Sequence, residues 1–244
     1  MLLWVNLAMA SPESLGGDAR VDWVAGVIEA EARARSEGGV ALGVVEELAR
    51  RALETQLRDA SPALRVDCGL TLAGVLGNAE VGDAVRDRLR RWDIAEARYN
   101  MGGDVALVGR LSLLELLKPY ALSRALPATV TKDSAFTGVV VDARGIGAAP
   151  QWMPRLLAPD GAVLHDGTLF DSVALAVAPA MWTYDVVDER VAAWVGDAPL
   201  AIRATVSTGC ALQLDAEGAA KLRDEVLGTD ILRRGRLVIA VDPP

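Results

Sequence analysis

The second half of the sequence contains the polar residues best placed to do chemistry. Asp142 and Arg144 follow the apolar run Val139–Val141. Because they are two residues apart in an extended chain, their side chains lie on the same face of the sheet. An acid and a base in that position predict either a ligand-binding pair or an internal ion pair. Arg155 is a candidate third member, so the predicted ligand-binding set is Asp142, Arg144 and Arg155.

The glycine-rich segment that follows explains why we favour the ion pair. Its sequence is Gly145-Ile146-Gly147-Ala148-Ala149-Pro150, and such a turn leaves backbone amides that need acceptors. The segment is similar to the start of a dinucleotide-binding fingerprint, but Pro150 stands where the third glycine belongs. We therefore predict a turn that needs backbone freedom at two positions, and no nucleotide or other cofactor.

Catalytic and metal chemistry have few candidate residues. The chain has one histidine, His165, and two cysteines, Cys68 and Cys210, too few for a Cys/His zinc cluster. The alternative enzyme hypothesis is a hydrolase-type site near Asp142, Arg144 and His165, but we predict that His165 is structural and that the chain has no catalytic residues and no metal site. The spacing of the cysteines does not show whether they pair, and we interpret them as two buried thiols.

Composition narrows the possible partners. The chain has 244 residues, 52% of them hydrophobic, and a net charge of −8, which argues against nucleic acid because phosphate binding needs clustered Lys and Arg. Trp152, Trp182 and Trp194 could line a sugar- or peptide-binding groove, but we predict that they pack internally. No run reaches the length of a membrane span.

The first ten residues, MLLWVNLAMA, are apolar and end in an Ala-Met-Ala pattern before Ser11 and Pro12. Small residues at those positions are typical of a signal-peptidase site. We interpret residues 1–10 as the remnant of a signal peptide that starts upstream, with a first strand or helix of the fold as the alternative.

Periodicity predicts an α+β protein with two units. The first, residues 20–122, has the order β-α-α-β-β, which predicts an antiparallel or mixed sheet packed by helices. The second, residues 135–244, is a mixed α/β unit after a linker at 123–134. Its strands are predicted at 138–142, 155–158, 162–165, 200–206, 211–214 and 237–241. A helix or packed loop is predicted at 170–182, and a helix capped by Asp215 is predicted at 216–227.

The helices and strands of the first unit are predicted individually. Residues 21–35 alternate as one strand, and 80–92 form a second helix. The first helix spans 40–59, with Val44, Val45, Leu48, Ala52, Leu53 and Leu57 at helical spacing. Residues 94–99 and 105–117 are predicted to pair as a hairpin.

Two stretches carry a family resemblance. The sequence Gly-Val-Val-Val-Asp-Ala-Arg-Gly at 138–145, then Pro150 and Met-Pro-Arg at 153–155, resembles a segment of secreted bacterial proteins, and the likeness continues at 160–161, 196–204 and 232–242. Residues 21–118 resemble the fold unit of the LPP-twenty lipoprotein family and of the flagellar assembly protein T amino-terminal domain. The lipoprotein cysteine is absent, so lipid anchoring is not implied.

The resemblance implies an extracytoplasmic envelope protein, periplasmic or outer-membrane associated, with no catalytic activity. We predict a binding or assembly role with an envelope protein or a cell-wall component as partner. The alternatives are a structural subunit of a flagellar or other envelope complex, and the hydrolase named above. The sequence leaves the oligomeric state open.

Overall fold

Two separate sheets, one in each half of the chain, are the frame of the structure. The computed structural model describes residues 12–36, 38–125, 130–168 and 177–243. Both sheets are packed by helices, which confirms the predicted α+β class. One cluster of buried apolar side chains runs through both units, so the two sheets share a continuous core.

The first unit is built on a five-stranded antiparallel sheet with a separate two-stranded ribbon. Its strands are β1 Glu13–Gly16, β2 Ala19–Asp22, β3 Val27–Ala34, β4 Arg65–Asp67, β5 Leu70–Thr71, β6 Asp93–Tyr99 and β7 Val105–Ser112. The large sheet has the order β1-β2-β3-β7-β6, and β4 pairs with β5. The single strand predicted over 21–35 is wrong: a turn at residues 23–26 divides it into β2 and β3, with Gly26 at φ +67°.

The described residues of the first unit form four α-helices. They are α1 Leu42–Ala60, α2 Leu72–Leu76, α3 Gly82–Leu89 and α4 Leu113–Arg124, with a 3-10 turn at Ser61–Ala63. Helix α1 packs on β3 and β7 and buries Val45, Ala49, Leu53, Leu57 and Ala60. The sequence pattern also predicts three further residues on the core face, but Val44 and Leu48 are each 52% exposed and Ala52 is exposed as well.

The end of β7 corrects a second prediction. The strand predicted over 105–117 stops at Ser112, where α4 begins. The hydroxyl oxygen of Ser112 accepts a hydrogen bond from the Glu115 amide, and Ser followed three residues later by Glu is a helix-start signature. Because α4 continues to Arg124, the predicted linker at 123–134 begins inside a helix.

The second unit is built on a seven-stranded mixed sheet. Its strands are β8 Gly138–Asp142, β9 Arg155–Leu157, β10 Val163–His165, β11 Met181–Thr183, β12 Pro199–Ser207, β13 Ala211–Leu214 and β14 Leu237–Ala240, in the order β10-β9-β13-β12-β8-β14-β11. The six strands predicted here are all present.

The helices of this unit are short. They are α5 Glu189–Val195 and α6 Ala216–Lys221, which continues as a π-turn at Leu222–Val226, and a 3-10 turn at Leu232–Arg234. The predicted cap of α6 is confirmed, because the Asp215 carboxylate accepts a hydrogen bond from the Gly218 amide at 2.6 Å. Residues 1–10 and most of 170–182 lie outside the described residues, and the remaining part of the latter includes β11.

The two cysteines form a disulfide between the units, which corrects our interpretation of them as free thiols. Cys68 lies in the turn between β4 and β5, and Cys210 lies in the turn between β12 and β13; their Cα atoms are 4.8 Å apart. The cysteines are 142 residues apart in sequence, so only the packing of one unit on the other brings them together.

We expect this crosslink to stabilise the protein. Replacing both cysteines with serine should lower the free energy of unfolding by about 2–4 kcal/mol, because the crosslink restricts the unfolded chain. Urea denaturation measures the change. Adding a reductant should lower the stability of the native protein by a similar amount and leave the double variant unchanged; an equal effect of reductant on both proteins would contradict the assignment.

Candidate functional site

The predicted Asp142–Arg144 pair is an ion pair at the end of β8. Both Arg144 Nε and Nη2 donate to the Asp142 carboxylate at 2.8 Å. This hydrogen bonding holds the pKa of the Asp142 carboxyl below its ordinary value. Both side chains are about 40% exposed, so the pair lies at the surface and is satisfied within itself.

Two amides at the start of the glycine turn beside this pair are bound by carboxylates. The Arg144 amide donates to Asp142, and the Gly145 amide donates to Asp242 at 2.7 Å. Gly145 and Gly147 have φ of +78° and +64°, which confirms the prediction that two positions need backbone freedom. These carboxylates therefore hold the turn in place.

Arg155 does not join the Asp142–Arg144 pair. Strands β8 and β9 are separated by β12 and β13, which at about 4.8 Å per strand puts them roughly 14 Å apart across the sheet. Arg155 instead reaches the first unit, where its Nη2 lies 3.7 Å from the buried Asp67 carboxylate.

Asp67 is a polar contact point between the units, next to the disulfide. Its carboxylate accepts from the Cys68 amide at 2.6 Å and from the Tyr120 hydroxyl at 3.4 Å, and Arg124 lies 3.9 Å away. Burial and the Asp67 charge raise the pKa of the Tyr120 hydroxyl. A carboxylate that is only 7% exposed needs these partners, so Arg155 has a structural role here.

His165 is buried on β10 and separated from the Asp142–Arg144 pair by three intervening strands. Neither ring nitrogen has a hydrogen-bond partner among the described residues. Burial lowers the pKa of the His165 imidazole from 6.5 to about 4, with a small opposing effect of the Asp166 charge. The structure therefore does not bring His165, Asp142 and Arg144 together.

A cleft lies between the two units. We call it the inter-unit cleft; its volume is about 500 Å³. The first unit contributes Trp23, Val24, Ala25, Gly26, Ser112 and Leu114. The second unit contributes Val177, Ala178, Ala180 and Met181 from one segment. It also contributes Trp152, Arg190, Ala193 and Trp194.

Three tryptophans give this cleft its apolar walls, and each is held by the backbone or by a polar partner. Trp23 Nε1 donates to the Glu13 carboxylate at 2.9 Å, and Trp194 Nε1 donates to the Gly235 carbonyl at 2.6 Å. The Trp152 backbone amide donates to the Arg65 carbonyl at 3.1 Å. The sequence predicts internal packing for Trp152 and Trp194, and in the structure both also line the cleft.

Trp182, the remaining tryptophan of the predicted set, packs internally as predicted. Trp182 is 3% exposed and its Nε1 donates to the Gln151 carbonyl at 2.8 Å. It is therefore an internal packing residue. Sequence reasoning missed Trp23 and Arg190 as lining residues, and the only local signal for Trp23 was its position in the turn that interrupts the alternating segment.

A second, smaller hollow also has Trp23 in its lining. Its volume is about 400 Å³, and the glycine turn at residues 147–150 forms part of its wall. Arg65 also lines this hollow, and its guanidinium donates twice to Glu13 at 2.6 Å and once to the Pro150 carbonyl at 2.8 Å. The guanidinium carbon also lies 5.8 Å from the centre of the Trp23 ring.

In the described part of the chain, no three His, Cys, Asp or Glu side chains come together in a way that could hold a metal ion. Of the helices in those same ranges, none is long and apolar enough to cross a bilayer.

Comparison with known protein families identifies a similarity in the second half of the chain. Residues 138–243 match the family described as the second domain of Treponema pallidum Tp0624, which is less than half of the chain. The match begins at β8 and ends just after β14, so it corresponds to the seven-stranded unit. No curated protein matches the chain.

The two arginines of the predicted ligand-binding set should differ in their effect on stability. Arg144→Ala removes an exposed ion pair and should cost less than about 1 kcal/mol. Arg155→Ala leaves the buried Asp67 carboxylate with fewer partners and should cost on the order of 2 kcal/mol. Urea denaturation of both variants measures the difference, and a larger loss for Arg144→Ala would contradict these assignments.

His165 should make the stability depend on pH. Because its pKa is lower in the folded state, the unfolded chain binds a proton first, and stability falls from about pH 6.5 down to about pH 4. The full loss is on the order of 3 kcal/mol.

The matched variant for this test is His165→Leu, which loses no hydrogen bond made by the described residues. Denaturation of both proteins across this pH range isolates the histidine, since acidic groups titrate in both. As the pH falls, the free energy of unfolding of the wild type should decrease relative to that of the variant. A difference that stays constant would contradict the buried, neutral imidazole.

Proposed function

We propose that this protein is a non-catalytic, extracytoplasmic binding protein of the bacterial envelope, and that it holds a small, mainly apolar ligand in the inter-unit cleft. The observation that carries the proposal is the cleft itself, a space of about 500 Å³ with Trp23, Trp152 and Trp194 in its walls.

Size, position and lining all support binding at this place. Ligand sites typically enclose about 300–1,000 Å³, lie between domains and combine an apolar lining with a few polar groups. The inter-unit cleft has this combination, since most of its lining residues are apolar and Arg190 and Ser112 supply polar groups. Tryptophan rings offer a large, rigid contact area to an apolar ligand.

The hydrolase alternative has less support from the geometry. A general base must reach its substrate within hydrogen-bonding distance, either directly or through one water. The His165 ring is buried and lies on a different strand from the Asp142–Arg144 pair. The two carboxylates at the glycine turn are occupied by backbone amides or Arg144, which favours a role in holding the turn.

An extracytoplasmic location is supported by the Cys68–Cys210 disulfide, because disulfides persist in oxidising compartments. The resemblance to secreted envelope proteins agrees with this location, and the match of residues 138–243 to a domain of a Treponema pallidum protein agrees with a bacterial source. A periplasmic or outer-membrane-associated protein fits both observations. The cleft favours a small ligand over the envelope protein or cell-wall component predicted as partner.

The binding proposal can be tested with N-phenyl-1-naphthylamine, a neutral apolar dye whose fluorescence rises in apolar sites. We expect saturable binding of one dye per chain. Ala193 lines the cleft, so Ala193→Phe should occupy its space and weaken dye binding by about tenfold or more. Fluorescence titration measures both affinities.

Ala192→Phe is the matched control for this experiment. Ala192 is the preceding residue of the same helix, is exposed, and does not line the cleft. This variant should bind the dye as the wild type does. Absence of dye binding, or equal binding by all three proteins, would overturn the proposed site.

A further inference from the structure

The polar side chains of the inter-unit cleft share one property: all of them can donate hydrogen bonds. They are Trp23, Ser112, Trp152, Arg190 and Trp194. No Asp or Glu occurs among the described residues that line the cleft. The indole N–H groups of Trp23 and Trp194 are already used within the protein, which leaves Ser112, Trp152 and Arg190 to meet a ligand.

Asp188 orients the Arg190 side chain, and some N–H groups of the Arg190 guanidinium have no acceptor among the described residues. The Asp188 carboxylate accepts from Arg190 Nε at 3.0 Å and from Nη2 at 2.5 Å. This contact lowers the pKa of Asp188 to about 2, so the pair stays ionised. A guanidinium has five N–H groups, and the ones that remain, both on Nη1 and one on Nη2, have no acceptor among the described residues.

Trp152 and Ser112 add donors from two different units. Trp152 is 4% exposed, and its Nε1 has no hydrogen-bond partner in the described part of the chain. A buried donor without an acceptor is unfavourable, so a ligand that supplies one removes that penalty. The Ser112 oxygen accepts from the Glu115 amide, which leaves the hydroxyl hydrogen free to donate.

Nearby acids are engaged elsewhere and do not supply acceptors to the cleft. Asp188 caps α5 and binds Arg190. Asp22, whose charge also acts on Arg190, accepts from the amides of Val24 and Ala25. Since Asp188 offsets the charge of Arg190, the attraction for an anion depends on directed hydrogen bonds more than on net charge.

We infer that the ligand of the inter-unit cleft is an amphipathic anion, with an apolar body between the tryptophans and a carboxylate or phosphate head bound by Arg190, Trp152 and Ser112. This inference rests on the proposed binding function and adds the chemical class of the ligand. A neutral apolar molecule would leave all three sets of donors without acceptors, which is the physical basis for the selectivity.

Competition experiments test this class directly. Dodecanoate, dodecyl phosphate and dodecanol share a twelve-carbon chain and differ in the head group. Each is used to displace N-phenyl-1-naphthylamine from the full chain. We expect dodecanoate, dodecyl phosphate or both to bind about tenfold more tightly than dodecanol, and their order shows whether a carboxylate or a phosphate head is preferred.

Two variants connect the preference to its residues. Trp152→Phe removes the indole N–H but keeps an aromatic ring, and Arg190→Leu removes the guanidinium. Each should reduce the ratio of anion to alcohol affinity to about threefold or less. Arg223→Leu removes an exposed arginine that does not line the cleft, and it should keep both the dye affinity and the ratio.

The outcomes separate this inference from the proposed function. If the dye binds but all three competitors are equal, the anion inference is wrong and the apolar binding site stands. The same holds if the ratio survives both cleft variants. If the dye does not bind, the proposed function fails and the ligand class fails with it.

Discussion

The junction between the units depends on the short strand β4. The carbonyls of Arg65 and Val66 accept hydrogen bonds from the amides of Trp152 and Met153 at 3.1 and 2.7 Å, so a strand of the first unit is joined directly to the chain before β9. Cys68, one residue beyond β4, adds the covalent link to Cys210. Backbone, covalent and charged contacts between the units therefore coincide at residues 65–68.

The inter-unit cleft follows from that junction. The same hydrogen bond that joins the units places Trp152 in the wall of the cleft, while the Arg65 side chain holds Glu13, which in turn fixes the Trp23 ring. Rigid walls matter for a binding site because a ligand then loses less of its affinity to ordering the protein. The charged groups first noticed in the sequence serve this framework: Arg155 reaches Asp67 across the junction, and Asp142 and Asp242 hold the glycine turn.

Patterns that depend on neighbouring residues were predicted well. The strand at 138–142, the turn with Gly145 and Gly147, and the Asp215 cap all require only local sequence, and all are present. The Ser112–Glu115 helix start was equally local, but the apolar residues after it continued the strand pattern and concealed it. In α1, two apolar stripes one residue apart both suit a helix, and only contact with the sheet selects Val45 over Val44.

By itself, the sequence determined the α+β class and most of the elements, because these depend on composition and short-range periodicity. The tertiary structure alone decided the disulfide, the Asp67–Arg155 contact and the convergence of Trp23, Trp152 and Trp194 on one cleft. Each joins residues far apart in the chain, and such distances are fixed by how the two sheets pack, for which a single sequence carries no periodic signal.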